Sequence, residues 1–153
     1  MDARPEWIEG PVARTDFETL LSFAATRAST FSLVVRDPAV LDDHAKRVLD
    51  DLSPYKAHEA DVSEWPGTRL VGNTARLVHY RVADESIQLL RSASESLYEW
   101  VVPSLPEDLC FYRPDGAVLL GSISHEAAAF LDGLTEADKA ELMAAGFTFE
   151  PWD

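Results

Sequence analysis

A predicted β-hairpin in the last third of the chain constrains the fold most. Two apolar runs, residues 109–112 and 117–120, flank the turn signal Pro114-Asp115-Gly116. Proline presets φ at the first corner of a turn, and glycine accepts the positive φ that closes it. The pattern therefore predicts a hairpin at the centre of a sheet. Because the hairpin is apolar on both faces, we expect helices to cover both sides or a partner to cover one.

Helical and strand periodicity recur along the rest of the chain. The predicted helices run from Thr15 to about Ala28, from Pro38 to just before Pro54, from Asp84 to Trp100 or Val101, from the N-cap Ser124 through Ala127 to Leu131, and from Glu136 to Ala145. The predicted strands are Phe31–Arg36, then Thr68–Val71 and Ala75–Val82 about a Gly72-Asn73 turn, and a short edge strand within Phe147–Trp152. Tyr55–Gly67 is predicted to be a loop, and Gly121 a bulge or a close approach of the backbone.

The order of these elements is α-β-α-β-β-α-β-β-α-α, with strands in consecutive hairpins. Consecutive hairpins favour antiparallel pairing. We therefore expect an α+β fold with a mainly antiparallel sheet of about five strands, packed against four to five helices. Residues 1–14 contain Pro5, Gly10 and Pro11 and are predicted to be an irregular N-terminal arm, with residues 15–153 as a single α+β domain.

Net charge is the most unusual bulk property. The chain has 13 basic and 27 acidic side chains, which gives a net charge of −14. Residues 92–153 hold twelve acids and two bases and so carry −10 of that charge. Such a field repels nucleic acid and anionic membranes and attracts basic proteins. Solubility alone is the competing explanation of this surplus.

No motif with catalytic or metal-binding spacing is recognised. The histidines form neither an HExxH pattern nor a Cys-paired pattern, and no glycine-rich phosphate loop occurs. Cys110 is interpreted as a small core residue. The adjacent acids Glu107 and Asp108 are interpreted as solvated residues just before a strand. No catalytic residue, metal site or cofactor is therefore predicted.

The charge favours a non-enzymatic acidic binding or inhibitor protein, of the kind that neutralises a basic toxin or nuclease as immunity proteins do. The predicted partner-binding residues are Asp42, Asp43, Asp50, Asp51, Glu136, Asp138 and Glu141, with Trp152 as an aromatic anchor. The alternative is a small enzyme or ligand-binding domain with a pocket near His125, Ser124 and Cys110. The chain is expected to be a monomer, or a homodimer joined through its C-terminal aromatic residues.

The surroundings of the protein are predicted from composition. A single cysteine favours a reducing, cytoplasmic location. Abundant alanine, aspartate and arginine with little lysine is typical of a GC-rich bacterial genome. No apolar run reaches the ~18 residues that a membrane span needs, so no membrane partner is expected.

Overall fold

The computed structural model describes residues 5–151, which form an α+β fold around a large antiparallel sheet. In chain order the strands are β1 Glu6–Ile8, β2 Thr30–Val35, β3 Lys56–Val62, β4 Glu64–Trp65, β5 Thr68–Arg69, β6 Ala75–Arg81, β7 Glu107–Tyr112, β8 Val118–Ile123, β9 Ala128–Leu131 and β10 Phe149–Pro151. The helices are α1 Thr15–Ala25, α2 Asp43–Leu52, α3 Asp84–Ala93 and α4 Glu136–Ala144. Within the described residues, eight strands form the sheet in the order β10-β1-β9-β8-β7-β2-β6-β3, and β4 pairs with β5.

The predicted central hairpin is present. Strands β7 and β8 lie in the middle of the sheet, with Phe111 paired to Leu120. Gly116 has a φ of 88° in the turn between them. Asp115 Oδ1 accepts a hydrogen bond from Ala117 N at 2.9 Å. The turn residues therefore set the position of the hairpin, as their types predict.

One face of the sheet packs against α1, α2 and α3. The main core cluster joins these helices to the sheet through Phe17, Leu20, Leu21, Val48, Leu52, Ile87 and Leu90 from the helices and Phe31, Leu33, Val78 and Phe111 from the strands. The Phe31 ring lies 5.7 Å from that of Phe111 and 5.3 Å from that of Tyr80. Burying each such side chain stabilises the fold by roughly 1.5–3 kcal/mol, so this layer holds the helices in place.

The β4–β5 hairpin covers part of the opposite face. Successive residues of a strand point to opposite sides, so Val34 points away from Leu33 and from the helices. Val34, Ala75 and Leu77 form a second cluster with Trp65 of β4. The cluster anchors Trp65 on the sheet, close to the start of β7.

The sheet is larger than predicted because β1, β3 and β9 are additional strands. Residues 6–8 lie in the segment predicted to be an irregular arm, yet they pair with β9 and β10. Strand β3 lies in the predicted loop Tyr55–Gly67, and six of its seven residues are exposed. An edge strand with water on both faces has no apolar alternation, so its sequence resembles a loop.

The helix predicted through Ala127 to Leu131 is wrong. Ser124–Glu126 is a short 3₁₀ helix, Ala127 adopts a left-handed φ of 51°, and β9 follows. Strand β9 pairs with β8 on one side and with β1 on the other. These two ladders outweigh the intrinsic helix preference of alanine.

Two further predictions about connectivity are wrong. The strands predicted at Thr68–Val71 and Ala75–Val82 do not pair with each other, because β5 pairs with β4 while β6 pairs with β2 and β3. The third helix ends at Ala93 rather than near Trp100. By contrast, α4 begins at the predicted cap, since Thr135 accepts a hydrogen bond from Asp138 N. None of the helices within residues 5–151 has the length and apolar character required to cross a membrane.

Candidate functional site

The structure separates the predicted acidic residues into two groups. Asp43, Asp50, Asp51 and Glu136 are exposed and form no ion pair with any residue between 5 and 151. Asp42, Asp138 and Glu141 are instead bound within the fold. Trp152, the predicted aromatic anchor, lies outside the described residues.

The three bound acids have structural partners. Asp42 caps α2, since its Oδ1 accepts a hydrogen bond from Ala45 N at 3.0 Å. That hydrogen bond holds the pKa of Asp42 below its usual value. Asp138 and Glu141 of α4 both pair with Arg27, at 3.1 and 3.4 Å. These contacts explain all three acids as structural residues, without a binding partner.

An open acidic groove lies between the end of α2 and the start of α3. This α2–α3 groove has a volume of about 520 Å³ and is lined by Asp51, Pro54, Tyr55, Asp84, Glu85, Gln88 and Leu89. Three carboxylates and no lysine or arginine are among these lining residues. The guanidinium of Arg81 lies at the edge of the groove, where its Nη2 donates to the carbonyl of the lining residue Pro54 at 2.8 Å. The groove therefore combines negative charge with the apolar surface of Tyr55 and Leu89.

A second concave site lies at the start of β7. The His125 cleft has a volume of about 660 Å³ and is lined by Arg36, Tyr98, Val101, Val102, Glu107, Ser124 and His125. Two members of the predicted alternative pocket, Ser124 and His125, are thus brought together. Cys110 does not line the cleft and is fully buried, and burial raises the pKa of its thiol to about 12. A thiol with that pKa is protonated at neutral pH and is a poor nucleophile.

Two adjacent carboxylates lie buried at this cleft, so the interpretation of Glu107 and Asp108 as solvated residues is wrong. Glu107 is 6% exposed and Asp108 is 0% exposed. Asp108 has a φ of 56°. Its Oδ1 accepts a hydrogen bond from Ser124 N, and its Oδ2 accepts one from Trp65 Nε1, both at 2.9 Å. The orientation of Asp108 thus depends on the 3₁₀ turn, which contains Ser124, and on the β4–β5 hairpin, which contains Trp65.

Among residues 5–151, one ion pair balances these two acids. Arg36 Nε donates to Glu107 Oε2 at 3.1 Å. Burial raises the pKa of Glu107, the charge of Asp108 raises it further, and Arg36 opposes both effects. A carboxylate oxygen each from Glu107 and Asp108 and a ring nitrogen of His125 lie within 4.8 Å of one another. This arrangement is suited to binding a cation or a proton.

Comparison of the chain with protein-family models, with curated proteins and with solved structures gave no match.

Two polar atoms near the cleft are buried without a partner in residues 5–151. They are the hydroxyl of Tyr98 and the indole Nε1 of Trp100. Burial raises the pKa of Tyr98 to about 12, so its hydroxyl keeps its proton and is able to donate a hydrogen bond. The Trp100 carbonyl accepts from Asp108 N at 3.1 Å. Buried polar atoms without a hydrogen-bond partner are uncommon in folded proteins.

A row of polar rings crosses the sheet on the face away from the helices. His58 of β3 stacks on His79 of β6 with ring centroids 4.2 Å apart, and His79 lies 5.0 Å from the ring of Tyr112. The Tyr112 hydroxyl and Ser32 Oγ are hydrogen-bonded at 2.8 Å. Burial, followed by the charge of His58, lowers the pKa of His79 to about 4. His79 is therefore uncharged at neutral pH.

Sequence reasoning did not find either concave site as a unit. Arg36, Glu107 and His125 come from separate elements, and only the pairing of β2 with β7 brings the first two together. The sequence signal was a pair of acids opening an apolar strand, which is ambiguous in so acidic a chain. For the α2–α3 groove, the sequence predicts Asp51 as a binding residue and Asp84 only as the start of a helix.

Proposed function

We propose that this protein is a non-enzymatic acidic binding protein that inhibits a basic protein partner, and that the α2–α3 groove receives a lysine or arginine of that partner. The observation that carries the proposal is the convergence of Asp51, Asp84 and Glu85 in a lining without a cation. Asp50 is exposed on the same helix as Asp51 and adds to the negative charge nearby.

Magnitudes indicate how such a groove would bind. A single exposed ion pair contributes only about 0.2–1 kcal/mol, so one carboxylate is too weak an anchor. Three carboxylates around one cation add their fields, and Tyr55 and Leu89 offer apolar surface to the stem of a lysine or arginine. The remaining negative charge of the protein would speed the encounter.

There is a structural explanation for part of this charge. Asp84 and Glu85 occupy the first turn of α3, where the helix dipole stabilises acids. Asp51 lies near the C-terminal end of α2, where the helix dipole disfavours an acid. Its position relative to the dipole therefore favours an intermolecular role, although Arg47, four residues earlier, is a basic neighbour on the same helix.

The class of partner is inferred by analogy. Immunity-type proteins are small acidic proteins that cover the active sites of basic toxins, so a toxin or nuclease is the partner class we propose. A bacterial origin and a cytoplasmic location are parts of the same proposal. We propose no nucleic-acid and no membrane partner, since the charge is repulsive toward both.

Site-specific photo-crosslinking tests the proposal. A photoreactive residue at Gln88, inside the groove, is expected to form an adduct with a basic protein in the cells that contain this chain. The same residue at Thr148, an exposed position between α4 and β10, is the matched control. The Gln88 adduct should disappear in the Asp51→Asn/Asp84→Asn/Glu85→Gln variant. An adduct that persists in this variant, or one that forms equally from Thr148, would contradict the proposal.

The His125 cleft supports a second candidate, a ligand-binding site. Its support is the meeting of Arg36, Tyr98, Glu107 and His125 in one concavity. Cys110 has no part in this candidate. His125→Ala would abolish ligand binding there, whereas loss of Asp50 and Asp51 charges would leave it unchanged.

A further inference from the structure

Two buried carboxylates and an exposed imidazole meet at the His125 cleft, and the groove proposed for partner binding uses none of them. We infer that Glu107, Asp108 and His125 bind a divalent transition-metal ion. The metal site is independent of the α2–α3 groove, and it specifies a ligand for the second candidate, because Glu107 and His125 line the His125 cleft.

Charge balance is the first argument. Glu107 and Asp108 are neighbours and are both buried, yet the ion pair with Arg36 involves only Glu107. Buried charges without a counter-charge are costly, so sites of this kind are paired or coordinate metals. A divalent cation between the two carboxylates would supply the missing charge.

Geometry is the second argument. The three candidate ligand atoms lie within 4.8 Å of one another. Bonds of about 2.0–2.2 Å to one ion place its ligand atoms roughly 3–4 Å apart. Metal binding therefore requires the ligand atoms to move closer together by about 1 Å. His125 is exposed, so its side chain is able to make this movement.

The surroundings of the carboxylates are the third argument. Ligating carboxylates are held in orientation by hydrogen bonds from outer residues. Asp108 accepts from Trp65 Nε1 and Ser124 N, and Glu107 accepts from Arg36. Tyr98 lines the same cleft, and its hydroxyl is buried without a partner in residues 5–151. It would provide a hydrogen-bond partner for a metal-bound water.

The donor set indicates which metals bind. Magnesium and calcium prefer oxygen ligands alone, whereas imidazole favours zinc and its first-row neighbours. Two carboxylates with one imidazole therefore predict that Zn²⁺ binds more tightly than Mn²⁺, and Mn²⁺ more tightly than Mg²⁺. This order of affinity separates a built site from general attraction to an acidic surface.

The test is a competition titration of the full chain with a chromogenic zinc chelator. Wild-type protein should bind one Zn²⁺ saturably, and His125→Ala should weaken binding at least about tenfold. The matched control is His58→Ala, which breaks the stacked pair of His58 and His79 and should leave the affinity unchanged. Glu107→Gln serves as a second ligand variant, with circular dichroism to verify that it folds.

Two results would overturn the inference. One is the absence of saturable Zn²⁺ binding up to about 1 mM, a concentration that reaches even weak metal sites. The other is an equal affinity of wild type and His125→Ala, or a loss of binding in His58→Ala instead. Either result leaves the α2–α3 groove proposal untouched, since the crosslinking experiment measures different residues.

Discussion

At the scale of single residues, buried polar groups determine how this protein responds to its surroundings. Asp108 is a fully buried carboxylate held by two hydrogen-bond donors, and His79 is a partly buried imidazole stacked on a second one. Each has a predictable consequence, because burial disfavours the charged form of a group unless a partner compensates for it.

His79 should make the stability of the fold depend on pH. Its pKa in the folded protein is about 4, below the ordinary value of 6.5, so the unfolded chain binds the proton more tightly. Stability due to neutral His79 is therefore full above pH 6.5 and declines as the pH falls toward 4. The charged or titratable neighbour in the row is His58, and Tyr112 and Ser32 complete it.

Denaturant unfolding at about pH 7.5 and about pH 5 tests this prediction. His79→Gln should reduce the loss of unfolding free energy between the two values by on the order of 1 kcal/mol, after allowance for the partial exposure of the ring. His44→Gln, at an exposed position on α2, is the control. Equal pH dependence in wild type and His79→Gln would show that the ring environment has no effect.

At the scale of elements, the pairing of β8 with β9 depends on a glycine. A Cβ at Gly121 would lie 2.3 Å from the ring of Phe130, its cross-strand partner. The prediction of a close approach at Gly121 is thus confirmed, although the neighbour is a side chain rather than backbone. The absence of a side chain at Gly121 leaves room for the end of the Phe130 ring.

Gly121→Ala should destabilise the protein by about 1–3 kcal/mol, the usual cost of overpacking a core. Thermal or denaturant unfolding provides the measurement. Combining Gly121→Ala with Phe130→Ala should cost less than the sum of the two single changes, because the smaller side chain removes the clash. Additive effects of the two substitutions would contradict the contact between Gly121 and the ring.

The elements that could be predicted are those with local signals. The β7–β8 hairpin follows from Pro114-Asp115-Gly116, and α4 follows from its cap at Thr135. The strands that could not be predicted depend on distant partners. Strand β3 is exposed on both faces, and the alanine-rich β9 becomes a strand only between β8 and β1.

The same distinction applies to the candidate sites. Acidic residues are visible in a sequence, but their bonding is not, so Asp42, Asp138 and Glu141 were predicted as contacts while the fold uses them as caps and ion pairs. The His125 cleft depends on strand order and on the β4–β5 hairpin. Neither of these could be obtained from spacing alone.

At the scale of the whole molecule, the net charge of −14 is the dominant property. Two explanations compete: a general negative surface that confers solubility, and a localised docking site in the α2–α3 groove. The first predicts that only the net charge affects the binding of a basic partner. The second predicts that the position of the charges matters even when the net charge is the same. A comparison of variants with equal charge therefore separates them.

The most direct measurement is the affinity for a fluorescent oligolysine peptide, followed by anisotropy between about 25 and about 200 mM salt. One variant, Asp51→Asn/Asp84→Asn/Glu85→Gln, removes three carboxylates from the groove. The control, Glu18→Gln/Glu95→Gln/Glu150→Gln, removes three exposed carboxylates elsewhere, one of them also in a first helical turn.

A docking groove predicts that wild type and the control bind with similar affinity and lose it as salt rises. It also predicts that the groove variant binds at least about tenfold more weakly at low salt, a difference of ~1.4 kcal/mol. Equal weakening of both variants, or affinity that does not change with salt, would contradict the account.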